Sequence, residues 1–398
     1  MDLILRREAA RRAGIDVVEL DRMVELRMIV PDEGDRFTAG DVRKAGLLSS
    51  LQSGGLPLHA VAAGIDNGSL SIDFLDDPAF DHFSALSSVT FEELGARTGV
   101  PVDLLMVIRE AIGSAVPGPT DLVREIELGI VPLIEGQLAS GYPPDTVERS
   151  LRTMGESVRR FTLAAADDFR THVIEPAARE PNADIAGAAV SAIARMSAAA
   201  DQAILAVYHA QQAHAWTANI LDGFEGSLSK AGVVDRIGRP PAMCFLDLTG
   251  YTRFTAERGD KAAAELAETL RRLVQRTSVE HGGRTVKWLG DGVMFHFRDP
   301  GPAVVAALEM IDGIATAGLP PAHVGLHAGP VLFQDGDYYG QTVNVASRIA
   351  DYARPGEVLV SQEVVDAAGD VAVSFAPVGP VELKGVGGAL ALHIAHRT

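Results

Sequence analysis

The sequence reads as a multidomain chain of α and α+β type: an all-α N-terminal region, then a C-terminal domain whose elements run βαββαβ, the ferredoxin-like arrangement with extra strands. Three observations carry this. The 398 residues leave room for roughly two to three domains at a usual length of about 150. Residues 1–230 place apolar side chains at helical spacing between Gly and Pro breaks. From Met243 the period changes to short extended runs separated by amphipathic stretches.

Composition excludes several function classes. Lys and Arg number 35 against 53 Asp and Glu, a net charge of -18, which opposes the phosphate grip of a general polyanion binder; no nucleic-acid partner is expected. Cys244 is the single cysteine, so neither an internal disulfide framework nor a multi-cysteine metal site is available. The opening MDLILRREAARR sets its charges after a very short apolar run, the reverse of a signal peptide. No uncharged apolar run is long enough to span a bilayer, and a cytoplasmic location is expected.

Taken in order, helices are expected at Glu8–Arg12, Val17–Leu26, Ala39–Gln52 and Leu58–Ala63, broken by Gly14, by Pro31 to Asp35 and by Gly54-Gly55. These breaks suit a helix-turn-helix with a wing, and residues 1–88 resemble the winged module of MerR-type regulators. Charge opposes a DNA role for it. Residues 1–50 hold nine basic and ten acidic side chains, and Ala45 to Ala96 has no Lys or Arg but seven acids, whereas a recognition helix and wing need a basic face. A weaker echo follows: Ala13-Gly14-Ile15 with Leu20 recurs as Thr98-Gly99-Val100 with Leu105, and Leu51 to Gly54 as Leu138 to Gly141, at offsets of 85 and 87 residues. Duplication and two unrelated helical bundles both fit.

Residues 89–230 are read as a helical regulatory and dimerisation region. A seam of 3–4 spacing runs through Ile193, Met196, Ala200, Ala203, Val207, Ala210, His214, Thr217, Leu221 and Phe224. It suits either a coiled contact between subunits or the buried stripe of one helix inside its own domain. His214 within it is a candidate acid switch, because imidazole ordinarily titrates near neutral pH. Residues 231–242, rich in Gly and Pro, read as a linker.

In residues 243–398, MCFLDL is expected as a strand, Lys261 to Gln275 as a helix, and RTVKWLGDGVMFHF as two strands joined at Asp291-Gly292, a favoured hairpin dipeptide. Pro302 to Ile314 follows as a helix, HVGLHAGPVLF as a strand pair, Val343 to Ala353 as a helix and GEVLVS as a strand. Asp247 and Asp291 each end a strand where the backbone turns; their carboxylates are the oxygen ligands that hard divalent ions take, and an Asp before a Gly-containing turn is also an ordinary turn residue. Thr249-Gly250-Tyr251-Thr252 opens a helix whose free N–H groups suit phosphate oxygens, and no GxxxxGK[ST] loop is present.

FLDLTGYTRFT, TVKWLGDGVMFHF, GDYYGQTVNVASRIADYARPGEVLVS and VELKGV together resemble, in order and spacing over residues 243–396, the motifs of class III nucleotidyl cyclases, and the layout is similar to soluble actinobacterial adenylyl cyclases. The resemblance implies two divalent cations, Mg²⁺ or Mn²⁺, on Asp247, Asp291 and the Leu248 carbonyl. It implies that Asn344 and Arg348 hold the ribose and stabilise the transition state, and that Lys384 meets the terminal phosphates. Lys287 and Asp337 fall on its base-selecting positions. Adenine offers an N6 donor and an N1 acceptor, so a lysine and a carboxylate select it, and ATP is the expected substrate. Tyr338-Tyr339 depart from a more usual aliphatic-aromatic pair. The family builds each site from two subunits and this chain holds every residue type, which implies a homodimer with two equivalent sites. The rivals are a catalytically idle nucleotide sensor joined to a helix-turn-helix regulator, and a guanylyl cyclase. The controlling signal is expected at the N-terminal region, with a small molecule, a lipid or a proton as its candidate forms.

Overall fold

The computed structural model describes residues 3–68, 70–76, 80, 86–179, 185–232 and 240–398. It divides into two compact units, Met1–Ala215 and Trp216–Thr398.

The first unit opens with β1 (Ile4–Leu5), α1 (Arg6–Ala13), α2 (Val17–Glu25), β2 (Arg36–Phe37), α3 (Ala39–Ser53) and α4 (Leu58–Asp66). Local chemistry sets these boundaries. Gly14 ends α1 at φ 73°, Asp16 accepts the Glu19 N–H to start α2, and Thr38 and Asp41 form a reciprocal capping box at α3. Leu20, Met23, Ile29, Phe37 and Leu48 fill the core between them. The same order then recurs in β3 (Leu86–Thr90), α5 (Phe91–Thr98), α6 (Val102–Ala111), β4 (Leu122–Arg124), α7 (Glu125–Leu128) and α8 (Val131–Ala139). Gly99, at φ 74°, stands where Gly14 stands, and Thr90 with Glu93 forms the capping box of α5. The region is therefore helical but not strictly all-α: β1 pairs with β2 and β3 with β4 as antiparallel ribbons. Pairings this short are below what apolar alternation can signal in a sequence.

Next come α9 (Pro144–Phe169), a π-helical turn at Arg170–Ile174, α10 (Glu175–Ala178) and α11 (Ile185–Lys230). Along α11, Met196, Val207, Leu221 and Phe224 are exposed, as is His214, while Ala192 is buried. Of the expected linker, residues 233–239 lie outside the described residues.

The second unit contains β5 (Ala242–Leu248), α12 (Tyr251–Arg258), α13 (Asp260–Glu280), β6 (Gly283–Leu289), β7 (Gly292–Phe297), α14 (Pro300–Thr316), β8 (Ala322–Ala328), β9 (Leu332–Gln334), β10 (Asp337–Tyr339), α15 (Gln341–Tyr352), β11 (Val358–Ser361), α16 (Gln362–Ala367), β12 (Val373–Glu382) and β13 (Ala389–Arg397). Seven strands form one sheet in the order β12-β13-β11-β8-β5-β7-β6, antiparallel except at β8 and β11. Strand alternation gives the sheet two chemically different faces. Cys244, Leu246, Leu248, Val293, Phe295, Val324 and Leu326 pack with α13 and α14 into the main core. Met243, Phe245 and Met294 point the other way, under α15 and Tyr338 of β10.

Two expected strand pairings change. Asp291-Gly292 is not the β6–β7 turn: Leu289 pairs with Gly292, so Gly290 and Asp291 are the central residues, and Gly290 at φ 72° takes the left-handed first position, as in a type II′ turn. HVGLHAGPVLF is not a strand pair either, because β9 pairs with β10 rather than β8. Their turn is Asp335-Gly336, both at positive φ, the type I′ pattern that an Asp-Gly dipeptide favours.

Among the described glycines of this unit, Gly325 of β8 is the most tightly approached. A Cβ there would lie 2.1 Å from the Ala350 backbone nitrogen and 2.6 Å from its Cα, so α15 rests directly on the strand. Gly325→Ala is expected to cost about 1–3 kcal/mol by forcing backbone apart. Thermal and denaturant melts check this, and an unchanged midpoint would mean that α15 shifts freely.

Candidate active site

Asp247 sits near the end of β5 on the α15 face, between two strands. Opposite it on β7 is Gly292, where a Cβ would fall 2.8 Å from the Asp247 Oδ1. The absent side chain is what gives the carboxylate its room. Opposite it on β8 is His323, whose Nε2 lies 3.9 Å from the Asp247 Oδ2 and whose Nδ1 is 3.2 Å from the Thr249 hydroxyl. Burial raises the Asp247 pKa, and the charge of Asp291 acts in the same direction, so the two expected metal-binding carboxylates do lie close enough to repel.

After β5 the chain turns into α12 through Gly250, at φ 82°. The Thr249 amide is not a free donor, because it already bonds to the Pro321 carbonyl at 2.8 Å. The donors that remain for an anion belong to the first turn at Tyr251 and Thr252, where helical N–H groups have no partner within the helix.

Lys287 on β6 and Asp337 on β10 meet in an ion pair between Nζ and Oδ2. A one-residue bulge makes this meeting possible. Thr285 pairs with Phe295 but Lys287 with Met294, leaving Val286 as the extra residue. In a regular strand Lys287 would face Val293 and the main core; the bulge resets the phase so that Lys287 joins the α15 face and Trp288 takes the core side.

Asn344 and Arg348 lie one turn apart on the exposed side of α15. With Lys384, which follows β12, they line a cleft of about 250 Å³ completed by Ser347, Gly385 and Val386. Arg348 is held by Asp351 at 2.7 Å. Asn344 and Arg348 are exposed, as is Lys384.

The structure thus gathers the expected residues into three sets: Asp247 with Asp291, Lys287 with Asp337, and Asn344 with Arg348 and Lys384. Among the described residues no hydrogen bond or ion pair joins one set to another. Two further residues adjoin the expected ones, and the sequence shows only one of them. His323 faces Asp247 only through strand register, and Asp351 reaches Arg348 through helix spacing, a pairing that the sequence does carry.

Residues 239–396 match the family model described as the adenylate and guanylate cyclase catalytic domain. The C-terminal unit carries a cyclase catalytic domain, and the chain is an enzyme. Its relatives include the "pH-sensitive adenylate cyclase MT1302" of Mycobacterium tuberculosis (strain CDC 1551 / Oshkosh), 26% identical over 78% of this chain and 78% of that protein. An "Adenylate cyclase" of Streptomyces coelicolor is 26% identical over 66% of this chain and 67% of that protein. Among solved structures, the adenylyl cyclase CyaB from P. aeruginosa aligns at 21% identity and a TM-score of 0.36, covering 40% of this chain and 95% of that one.

Class III cyclases use divalent metal ions. The cyclase domain presents a donor set that fits one: two carboxylates and a backbone carbonyl are all-oxygen ligands, and the Asp247–Asp291 repulsion is of the kind that a cation relieves. Among the described residues no group of three or more His, Cys, Asp or Glu could by itself hold a metal ion, so the two carboxylates would need other oxygen ligands.

The raised Asp247 pKa has a definite sign. An acid whose folded pKa lies above its unfolded value weakens the fold when ionised; the penalty is full above the folded value and vanishes below the unfolded one. Asp247→Asn is therefore expected to raise the Tm of metal-free protein at neutral pH and to leave it unchanged in acid. Melts across pH check this, and equal Tm at neutral pH would mean that the carboxylate carries no strain.

Proposed function

We propose that this protein is an adenylyl cyclase, converting ATP to 3′,5′-cyclic AMP and pyrophosphate at the interface of a homodimer and controlled by residues 1–230. The observation that carries the choice of ATP is the Lys287–Asp337 pair on a cyclase domain: one donor and one acceptor side by side, the polarity that adenine matches and that guanine's O6 and N1–H oppose. The relatives named adenylate cyclase support the same choice. The layout read from the residues is a MerR-like module at 1–88, a helical regulatory and dimerisation region at 89–230, a linker at 231–242 and the catalytic domain at 243–398.

In this reading Asp247, Asp291 and the Leu248 carbonyl would hold two divalent cations, Mg²⁺ or Mn²⁺, which supply Lewis acidity towards the ribose 3′-hydroxyl and offset charge on the phosphates. The 3′-oxygen would lose its proton to solvent water and bond to the α-phosphorus as the bond to the departing pyrophosphate breaks. Asn344 orients the ribose, and Arg348 leaves Asp351 for the crowded phosphorus. That exchange is cheap, because an exposed ion pair contributes only about 0–1 kcal/mol. Lys384 and the first-turn amides of Tyr251 and Thr252 meet the outer phosphates, with Thr249 and Gly250 shaping the turn that presents them.

A mixing experiment on the purified full chain tests this. Wild type is expected to prefer ATP to GTP, and Arg348→Ala to lower kcat about 10²–10³-fold, as for a lost oxyanion donor. Asp247→Ala and Asn344→Ala are each expected to be inactive alone. Mixed together they should recover about a quarter of the wild-type rate, since half of the dimers then hold one complete site. A preference for GTP would move the reading to a guanylyl cyclase, no turnover at all would move it to a nucleotide sensor, and heterodimers without recovery would put each site within one chain.

The exposed apolar positions of α11 support a subunit contact there. Val207→Glu with Leu221→Glu is expected to lower the dimer fraction in sedimentation and the specific activity together. Loss of neither would remove α11 from the interface.

A further inference from the structure

The hairpin of β9 and β10 carries Asp337, yet it is only three residues per strand, and a hairpin of that size is marginal unless something anchors it. The Lys287–Asp337 pair, still accessible to water, is a weak anchor. The stronger one is Tyr338, the residue at which this sequence departs from a more usual aliphatic side chain. Tyr338 is 7% exposed and its ring stacks on His296 of β7, with centroids 4.3 Å apart and planes 6° from parallel. Arg284 of β6 closes over it. The guanidinium donates to the Tyr338 hydroxyl and sits 5.1 Å from the Tyr338 ring centroid and 5.0 Å from that of Phe333 on β9, so it grips both strands of the hairpin.

Register explains why Arg284 can reach. It pairs directly with His296, and the bulge at Val286 puts Lys287 on the same face, so one strand supplies both the clamp and the lysine. The clamped residue directly follows the carboxylate and is bonded to it, because the Tyr338 N–H donates to the Asp337 Oδ1 at 2.8 Å while Oδ2 faces Lys287. Fixing Tyr338 therefore fixes the direction of the Asp337 oxygens.

We propose that Arg284 is a positioning residue for base selection: by clamping Tyr338 and Phe333 it holds the hairpin in the register that keeps Asp337 beside Lys287, and the preference for adenine depends on it. This rests on the reading of Lys287 and Asp337 as the base-selecting pair. Arg284 itself touches neither base nor phosphate in this scheme.

The test uses the full-length chain with Mg²⁺ and two probes, 3′-deoxy-ATP and 3′-deoxy-GTP, which lack the attacking hydroxyl and so report affinity without turnover. Arg284→Met, which keeps the aliphatic stem, is expected to weaken 3′-deoxy-ATP about fivefold to tenfold and 3′-deoxy-GTP less than about twofold, the scale of one hydrogen-bonding partner lost from register. With ATP as substrate, KM rises by the same factor while kcat stays within about twofold. Tyr338→Phe keeps the stack on His296 and removes only the hydroxyl, so it shows a smaller shift of the same kind without threatening the fold. The double variant is no worse than Arg284→Met, because both remove one shared contact. Arg284→Lys fails to rescue, since a lysine cannot present a planar group to two rings. Equal losses for both probes, a fall in kcat at constant KM, or additive effects in the double variant would overturn the proposal. A wild type with no preference between the probes overturns the base-selecting reading instead, and that result is seen before any variant is made.

Discussion

The catalytic unit depends on the contact between α15 and the sheet at Gly325. Because no side chain separates β8 from the Ala350 backbone, the helix is held at a depth set by backbone atoms, and its buried side, Val345, Ala346, Ile349 and Ala350, is locked to the strands below. The exposed side then presents Asn344 and Arg348 at a fixed height beside Lys384. Asp247 and His323 lie on the same face of the same strands, so one packing contact sets where two of the three sets of side chains stand. The third set is hung on β6 and the small hairpin, and needs its own fastening.

The sheet separates work between its faces. One is dry and closed by α13 and α14, with Phe295, Phe297 and Met310 fully buried, and it supplies the apolar burial on which stability rests. The other carries Asp247, His323, Lys287 and His296 along with a smaller apolar cluster. Asp247 costs stability there, chiefly because it is partly buried and further because the Asp291 charge lies near it. Such a cost is usual where a site is organised for a ligand that the fold does not contain.

The N-terminal unit repeats one arrangement twice, strand, helix, helix, strand, helix, each time with a left-handed glycine after its first helix. The two rounds are stabilised differently. The first seats Lys44 between Asp73 and Asp76, whereas the second buries the Glu127 carboxylate against Arg109, which also bonds the Leu122 carbonyl and lies over the Phe91 ring. A buried pair of this kind favours one geometry more than it adds stability. The long helix α11 follows with apolar side chains in solvent along its length, a surface larger than scattered exposed residues explain.

Most elements were legible from local chemistry alone, because caps, glycines and apolar periods act within a few residues. The helices α1 to α4 and the strand β5 fall within a few residues of where these signals put them, and the motif positions from Asp247 to Lys384 all lie in the second unit. What the chain could not declare was anything settled by a neighbour distant in sequence. The Asp291-Gly292 and Asp335-Gly336 dipeptides are alike, yet the first straddles the end of its turn and the second fills the turn, because Gly290 already supplies the positive φ at the first hairpin. The apposition of His323 to Asp247, the bulge that turns Lys287 towards Asp337 and the grip of Arg284 on Tyr338 are likewise consequences of strand register. Register is fixed when two strands find the pairing that buries their apolar sides, and a single strand read alone contains no record of its partner.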